Sequence, residues 1–104
     1  MREFSIIYKL LNILRTSMDY EDFDAELISS NALGISEAKR AYIIEMLVND
    51  GYITGVTVQH MMGNVANVKL HRPRITLKGL EYLEENSLMK KAARIAKGIK
   101  DIVS

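Results

Sequence analysis

Residues 33–58, LGISEAKRAYIIEMLVNDGYITGVTV, decide the fold: they read as a capped helix delivered through a tight turn into a β-strand. The Ser36 hydroxyl can accept from a free N–H of the first turn, and Glu37 follows where the helix dipole favours an anion. The helix therefore begins there. Gly51 comes after Asn49 and Asp50, where a left-handed terminal residue costs glycine little. Tyr52, Ile53, Val56 and Val58 then favour an extended chain.

On a helical wheel this central helix turns Ile43, Ile44, Leu47 and the stem of Arg40 to one side. Ala38, Ala41, Tyr42, Glu45 and Asn49 fall on the other. An outer face presented to a major groove is read mainly through Arg, Lys, Asn and Gln. Here it offers Asn49 and a flanking Lys39, while Glu37 and Glu45 would repel phosphates.

Upstream, the polar positions Arg2, Ser5, Lys9, Asn12 and Thr16 recur every three or four residues, opposite Phe4, Ile7, Tyr8, Leu11 and Leu14. That is an amphipathic helix. Ile6, Leu10 and Ile13 widen its apolar face, so the spacing predicts a helix wedged between two elements, or between the core and a second subunit. Residues 19–26, DYEDFDAE, read as a solvated, acidic short helix with Asp19 capping, because the spacing and glycine of a calcium loop are missing. A second short turn follows over residues 27–33, with Ser29 or Ser30 as its cap.

Downstream, residues 53–58 and 65–70 are β-rich segments on either side of Gly63-Asn64, a pair suited to a hairpin bend. The tip, from Gln59 to Asn67, holds no Lys or Arg. Hairpins that grip DNA commonly carry basic residues there, so exposed Met and Val point instead to protein. His60 and His71 lack a carboxylate or cysteine at ligand spacing and read as ordinary strand histidines. Lys69, His71, Arg72 and Arg74 form the best basic cluster on a strand, broken by Pro73, which belongs at a sheet edge or end.

Thr76 then caps a helix over residues 77–85, with Leu80 and Leu83 facing in and Gly79 where close packing is needed. Asn86-Ser87 is read as the end of that helix and the start of another. From residue 88 to 103 Leu88, Ala92, Ile95, Ile99 and Ile102 form an apolar seam, and Lys90, Lys91, Arg94, Lys97 and Lys100 cover the remainder. This segment is expected to pack on its own domain or to pair with a second copy, with phosphate or membrane contact as further readings.

Composition bounds the answer. The 104 residues, 48% of them hydrophobic, suffice for one domain with a core. The absence of cysteine excludes disulfides and thiolate metal sites. No apolar run approaches a membrane span and no signal-peptide pattern opens the chain, so a cytoplasmic location without membrane contact is expected. The net charge of +1 conceals an asymmetry. Residues 1–50 hold five Lys/Arg against nine Asp/Glu, and residues 51–104 hold nine against four. A nearly neutral total lacks the usual electrostatic footprint of a nucleic-acid binder.

Three stretches, GYITGV from Gly51, PRITLKGLEYLEEN from Pro73 and AARIAKGIKDIV near the end, resemble the YjcQ-like winged-helix proteins, small proteins of Gram-positive bacteria and their prophages. The resemblance runs from Tyr8 to Val103, and ITLKGLEYLEEN is its most specific part. It implies a winged-helix fold and a prophage origin, and it carries over no active site. DNA binding would follow only by analogy of fold.

The sequence thus predicts a single α+β domain over residues 1–104: a winged helix-turn-helix with a two-stranded wing and two additional C-terminal helices, residues 88–103 being the amphipathic last one. Two functions are expected from it. As a DNA-binding, transcription-regulator-like protein it would use Lys39, Arg40, Tyr42 and Asn49 on the presented helix and Lys69, Arg72 and Arg74 on phosphates of double-stranded DNA. As a protein-interaction or dimerisation module it would use the apolar tip and the seam Leu88, Ala92, Ile95, Ile99 and Ile102, with a homodimer or another protein as partner. No cofactor is expected. An enzyme is the least supported class, for no nucleophile, phosphate loop or metal spacing stands out.

Overall fold

The structure is a computed structural model that describes residues 2–62 and 65–87. It is an α+β fold of helices and a two-stranded antiparallel sheet. The first helix, α1, is Arg2–Thr16, followed by single 3₁₀ turns at Ser17–Asp19 and Ala25–Ile28. Helix α2 is Ser30–Leu33 and α3 is Glu37–Asn49. Strands β1, Ile53–Met61, and β2, Val65–Ile75, pair antiparallel. Helical backbone over residues 77–87, α4, closes the described chain.

Each helix start has a side-chain cap where the sequence supplies one. Ser29 accepts from the Ala32 N–H at 3.1 Å, and Ser36 from the Lys39 N–H at 3.1 Å. The acidic stretch departs from its expected form: it is no helix capped by Asp19. Asp19 closes one 3₁₀ turn, residues 20–24 are irregular, and Asp24 caps the next turn through the Glu26 N–H. Asp and Asn compete with the helix ladder through such local bonds, which is why an acidic run breaks into turns here.

The core is built from Ile6, Leu10, Leu11 and Leu14 of α1, Ile28 and Leu33, Ile43, Ile44 and Leu47 of α3, with Ile53, Ile75 and Leu83. Two expected faces turn out rotated. On α1 Phe4 is half exposed while Ile6 and Leu10 are buried. On α3 Ala41, expected outward, is buried, because it shares an i, i+3 row with Ile44 and Leu47 and the buried arc takes in that row.

Helix α3 ends as anticipated. Gly51 sits at φ 81°, its N–H bonds Val48 O and the Tyr52 N–H bonds Leu47 O, so the last carbonyls are satisfied by a Schellman turn. The strand that follows runs further than its β-rich core, to Met61, and β2 runs through to Ile75. The pairing slips where Gly55 alone faces His71, Arg72 and Pro73, since Thr54 pairs with Arg74 but Val56 with Leu70. Pro73 lies buried in β2 at this bulge, without a register partner, and in a two-stranded sheet β2 is the edge strand expected for it. The bend at Gly63-Asn64 lies outside the described residues.

Thr76 fastens α4 to the body. Its hydroxyl donates to Gly51 O and accepts from the Gly79 N–H, and its N–H donates to Tyr52 O. Gly79 is buried at the crossing, where a Cβ would stand 2.5 Å from Tyr52 O and from the Ile75 side chain. The helix takes in Asn86 and Ser87, and whether it ends there as expected lies outside the described residues. Both residues are helical, and the Asn86 side chain donates from Nδ2 to Tyr82 O one turn back at 2.8 Å. The expected last helix, residues 88–103, lies outside the described residues.

Candidate interaction surface

Most charged groups on and around α3 are held by partners within the fold. Lys39 Nζ stands 3.0 Å from Glu3 Oε1 of α1. Arg40, only 13% exposed in its side chain, donates from Nε to Ile28 O at 2.6 Å and lies 3.6 Å from Glu37. Its guanidinium closes the backbone before α2 and is turned away from any partner. Glu45, a quarter exposed, pairs with His60 of β1 and so ties α3 to the hairpin. Sequence spacing gave no signal for that contact, which depends on the hairpin lying back over the helix.

Of the residues expected to meet DNA, Tyr42 and Asn49 are exposed on the outer flank of α3. Lys69 is exposed opposite Thr57, on the hairpin face turned away from the core, because Val56, Val68 and Leu70 occupy the inner face. Thr57 Oγ1 and His71 Nε2 are 2.8 Å apart on that outer face. Arg72 and Arg74 are exposed at the bulge and border a cleft of about 270 Å³ with Met18, Tyr20, Glu21 and Phe23. The fold therefore sets these two cations beside the acidic stretch. Lys39 and Arg40, at the start of α3, belong to a different neighbourhood from Arg72 and Arg74. Leu88, Ala92, Ile95, Ile99 and Ile102 lie outside the described residues.

A second feature was not singled out in the sequence. Phe4 and Ile7 of α1, Met46 and Leu47 of α3, Tyr52 and Tyr82 line a groove of about 280 Å³, with Glu3 and Asp50 on its rim. Phe4 is 52% and Met46 38% exposed, so the groove opens to solvent through large apolar side chains. The tyrosine rings meet edge to face, centroids 5.6 Å apart. Lys78 lies 4.8 Å over the Tyr52 ring and donates to Asp50 O at 2.8 Å, which fixes one wall. Burial, with a smaller contribution from Tyr52, raises the Tyr82 phenol above its ordinary range. The signal that could have found the groove is Phe4, an aromatic residue at the extreme edge of the stripe on α1.

Among the described residues no group of His, Cys, Asp and Glu could hold a metal ion, and no helix is long and apolar enough to cross a membrane.

The YjcQ protein family matches residues 8–102, almost the whole chain. The chain belongs to the YjcQ family. It is 34% identical over 74 residues to "Uncharacterized protein YjcQ" of Bacillus subtilis (strain 168), covering 71% of this chain and 76% of that one. No solved structure matches it. The matched YjcQ region contains α3, the hairpin, α4 and most of α1, so the groove and the basic strand both lie within it, apart from Glu3, Phe4 and Ile7.

Proposed function

We propose that this chain is a winged-helix module that binds protein, with the outer flank of α3 and the adjoining groove as its contact face. One observation carries the reading: the cations of α3 are engaged by Glu3, Glu37 and Ile28 O, while the same region exposes Phe4, Tyr42 and Met46. A nucleic-acid surface needs the reverse, free cations and few carboxylates, because phosphate neutralisation supplies its affinity. Aromatic and Met side chains are what protein interfaces concentrate at their centres. The order α1, α2, α3, hairpin supports the winged-helix assignment, with α3 in the presented position and β1-β2 as the wing. The role needs no catalytic step and no cofactor.

A second reading is favoured by a specific observation: Lys69, Arg72 and Arg74 on β2 are exposed, and Tyr42 and Asn49 are uncovered. On it the chain is a DNA-binding regulator of prophage type that holds phosphates with the strand. Titration of labelled duplex DNA at low salt separates the two. The protein-binding reading expects affinity no tighter than millimolar. Micromolar binding that falls steeply with added salt, and that weakens in an Asn49→Ala variant, would replace it with the DNA reading.

A further inference from the structure

We infer that the pair formed by Glu45 of α3 and His60 of β1 is a protonation-controlled latch that holds the tip of the hairpin against the outer flank of α3. The strand register places His60 on the inner side. Val56, Val58 and His60 alternate along β1 opposite Leu70, Val68 and Ala66, so they share one face of the hairpin. Val56, Val68 and Leu70 on that face pack against the core. His60 is thus the polar residue in an otherwise apolar stripe, one position before β1 ends at Met61. Its imidazole meets the Glu45 carboxylate there.

The hairpin has two parts, with the bulge at Gly55 between them. Below it Ile53 pairs with Ile75, and both are buried in the core. Above it Val56, Val68 and Leu70 still pack on that core, but Val58, nearer the tip, does not. Apolar contact therefore anchors the base of the hairpin, and Glu45 with His60 anchors its end. A bulge bends the strand that carries it, which makes Gly55 the point about which the upper part swings.

The surroundings leave the strength of the pair to its own two groups. On α3 the residues one turn from Glu45 are Ala41, Tyr42, Val48 and Asn49, and on β2 Ala66 and Val68 face His60. Tyr42 is the titratable group among them, and phenols as a class stay neutral where imidazoles change charge. Lys69 and His71 stand on the opposite face of β2, His71 against Thr57 Oγ1. Lys39 and Arg40 are held at the start of α3 by Glu3, Glu37 and Ile28 O. Imidazoles change charge between about pH 5 and 8. The imidazolium adds the attraction of opposite charges to its hydrogen bond with the carboxylate, and the neutral ring lacks it. The tip therefore docks on the acid side of the histidine titration and is released as pH rises through it. With the side chains 62% and 25% exposed, the proton exchanges with solvent, and the pair shifts the docked-to-released ratio by about two- to fivefold. Glu45 shares a helix row with Tyr42 and Asn49, so release opens the middle of the flank. That this flank is the contact face rests on the protein-binding reading; the latch does not.

Because the chain has no cysteine, a single spin label on the full-length protein reads the latch directly. A nitroxide on Gln59→Cys, exposed beside His60, broadens the amide signals of α3 when the tip is docked. Broadening over residues 42–49 is expected to grow as pH falls from about 8 to about 5, in step with the ring signals of His60. His60→Gln and Glu45→Gln should each remove that response, and His71→Gln should leave it. Broadening that is equal at both ends of the range overturns the latch. So does a response that persists in His60→Gln or Glu45→Gln, or that vanishes in His71→Gln. The comparison across pH needs no change at either latch residue, so it decides even where a substituted chain fails to fold. Failure of the latch leaves the duplex titration to decide separately between protein and nucleic acid.

Discussion

At Gly55 the backbone is held at φ 79°, and a Cβ there would stand 1.9 Å from the carbonyl oxygen of Arg72 on the facing strand. Gly51 has a similar φ, 81°, but open space around it. The two positions separate backbone strain from collision. Gly51→Ala is expected to cost about 1–2 kcal/mol, the ordinary penalty for a left-handed L-residue. Gly55→Ala carries that penalty and must also push β2 away from the bulge, so about 3 kcal/mol or more is expected. Urea unfolding of both variants measures the difference. Equal losses would mean that the bulge opens freely and does not hold Pro73 and Arg72 in place.

At the scale of elements, α1 and α3 are joined at their exposed edge by Glu3 and Lys39, and α3 and β1 by Glu45 and His60. The Glu3 carboxyl is held below its usual range, first by a hydrogen bond to its own backbone and then by Lys39. A depressed carboxylate contributes stability above its unfolded-state pKa and loses it as pH falls through the folded one. In Lys39→Met, NMR titration should find the Glu3 midpoint moved upward yet still below the ordinary range, because the backbone bond remains. An unmoved midpoint would show that the Lys39 contact is not formed in solution. Which elements would form was legible in local chemistry: Ser36, Gly51 and Thr76 mark boundaries through bonds to residues three or four away, and the structure has each of them. Acidic Asp19 misled for the same reason, since several neighbouring carboxylates could cap and only Asp24 does. Ala41 was misplaced because a wheel drawn for one neighbour underestimates the buried arc of a helix flanked on two sides. Arg40, Glu45 and the groove were beyond reading, since their partners, Ile28, His60 and Tyr82, lie 12 or more residues away in sequence and meet only in the folded chain.

At the scale of the molecule, charges of opposite sign stand side by side among the described residues. The acidic stretch lies along β2 beside Arg72 and Arg74, and the cations of α3 are absorbed by α1 and by the turn before α2. The body also leaves an apolar groove open to solvent beside the outer flank of α3, through Phe4 and Met46. The most direct test is a ¹H–¹⁵N chemical-shift map of the intact chain recorded on addition of duplex DNA at low salt. The account predicts that millimolar duplex changes little across α3 and the hairpin. Salt-sensitive perturbation of Asn49, Lys69, Arg72 and Arg74 at micromolar duplex would contradict it.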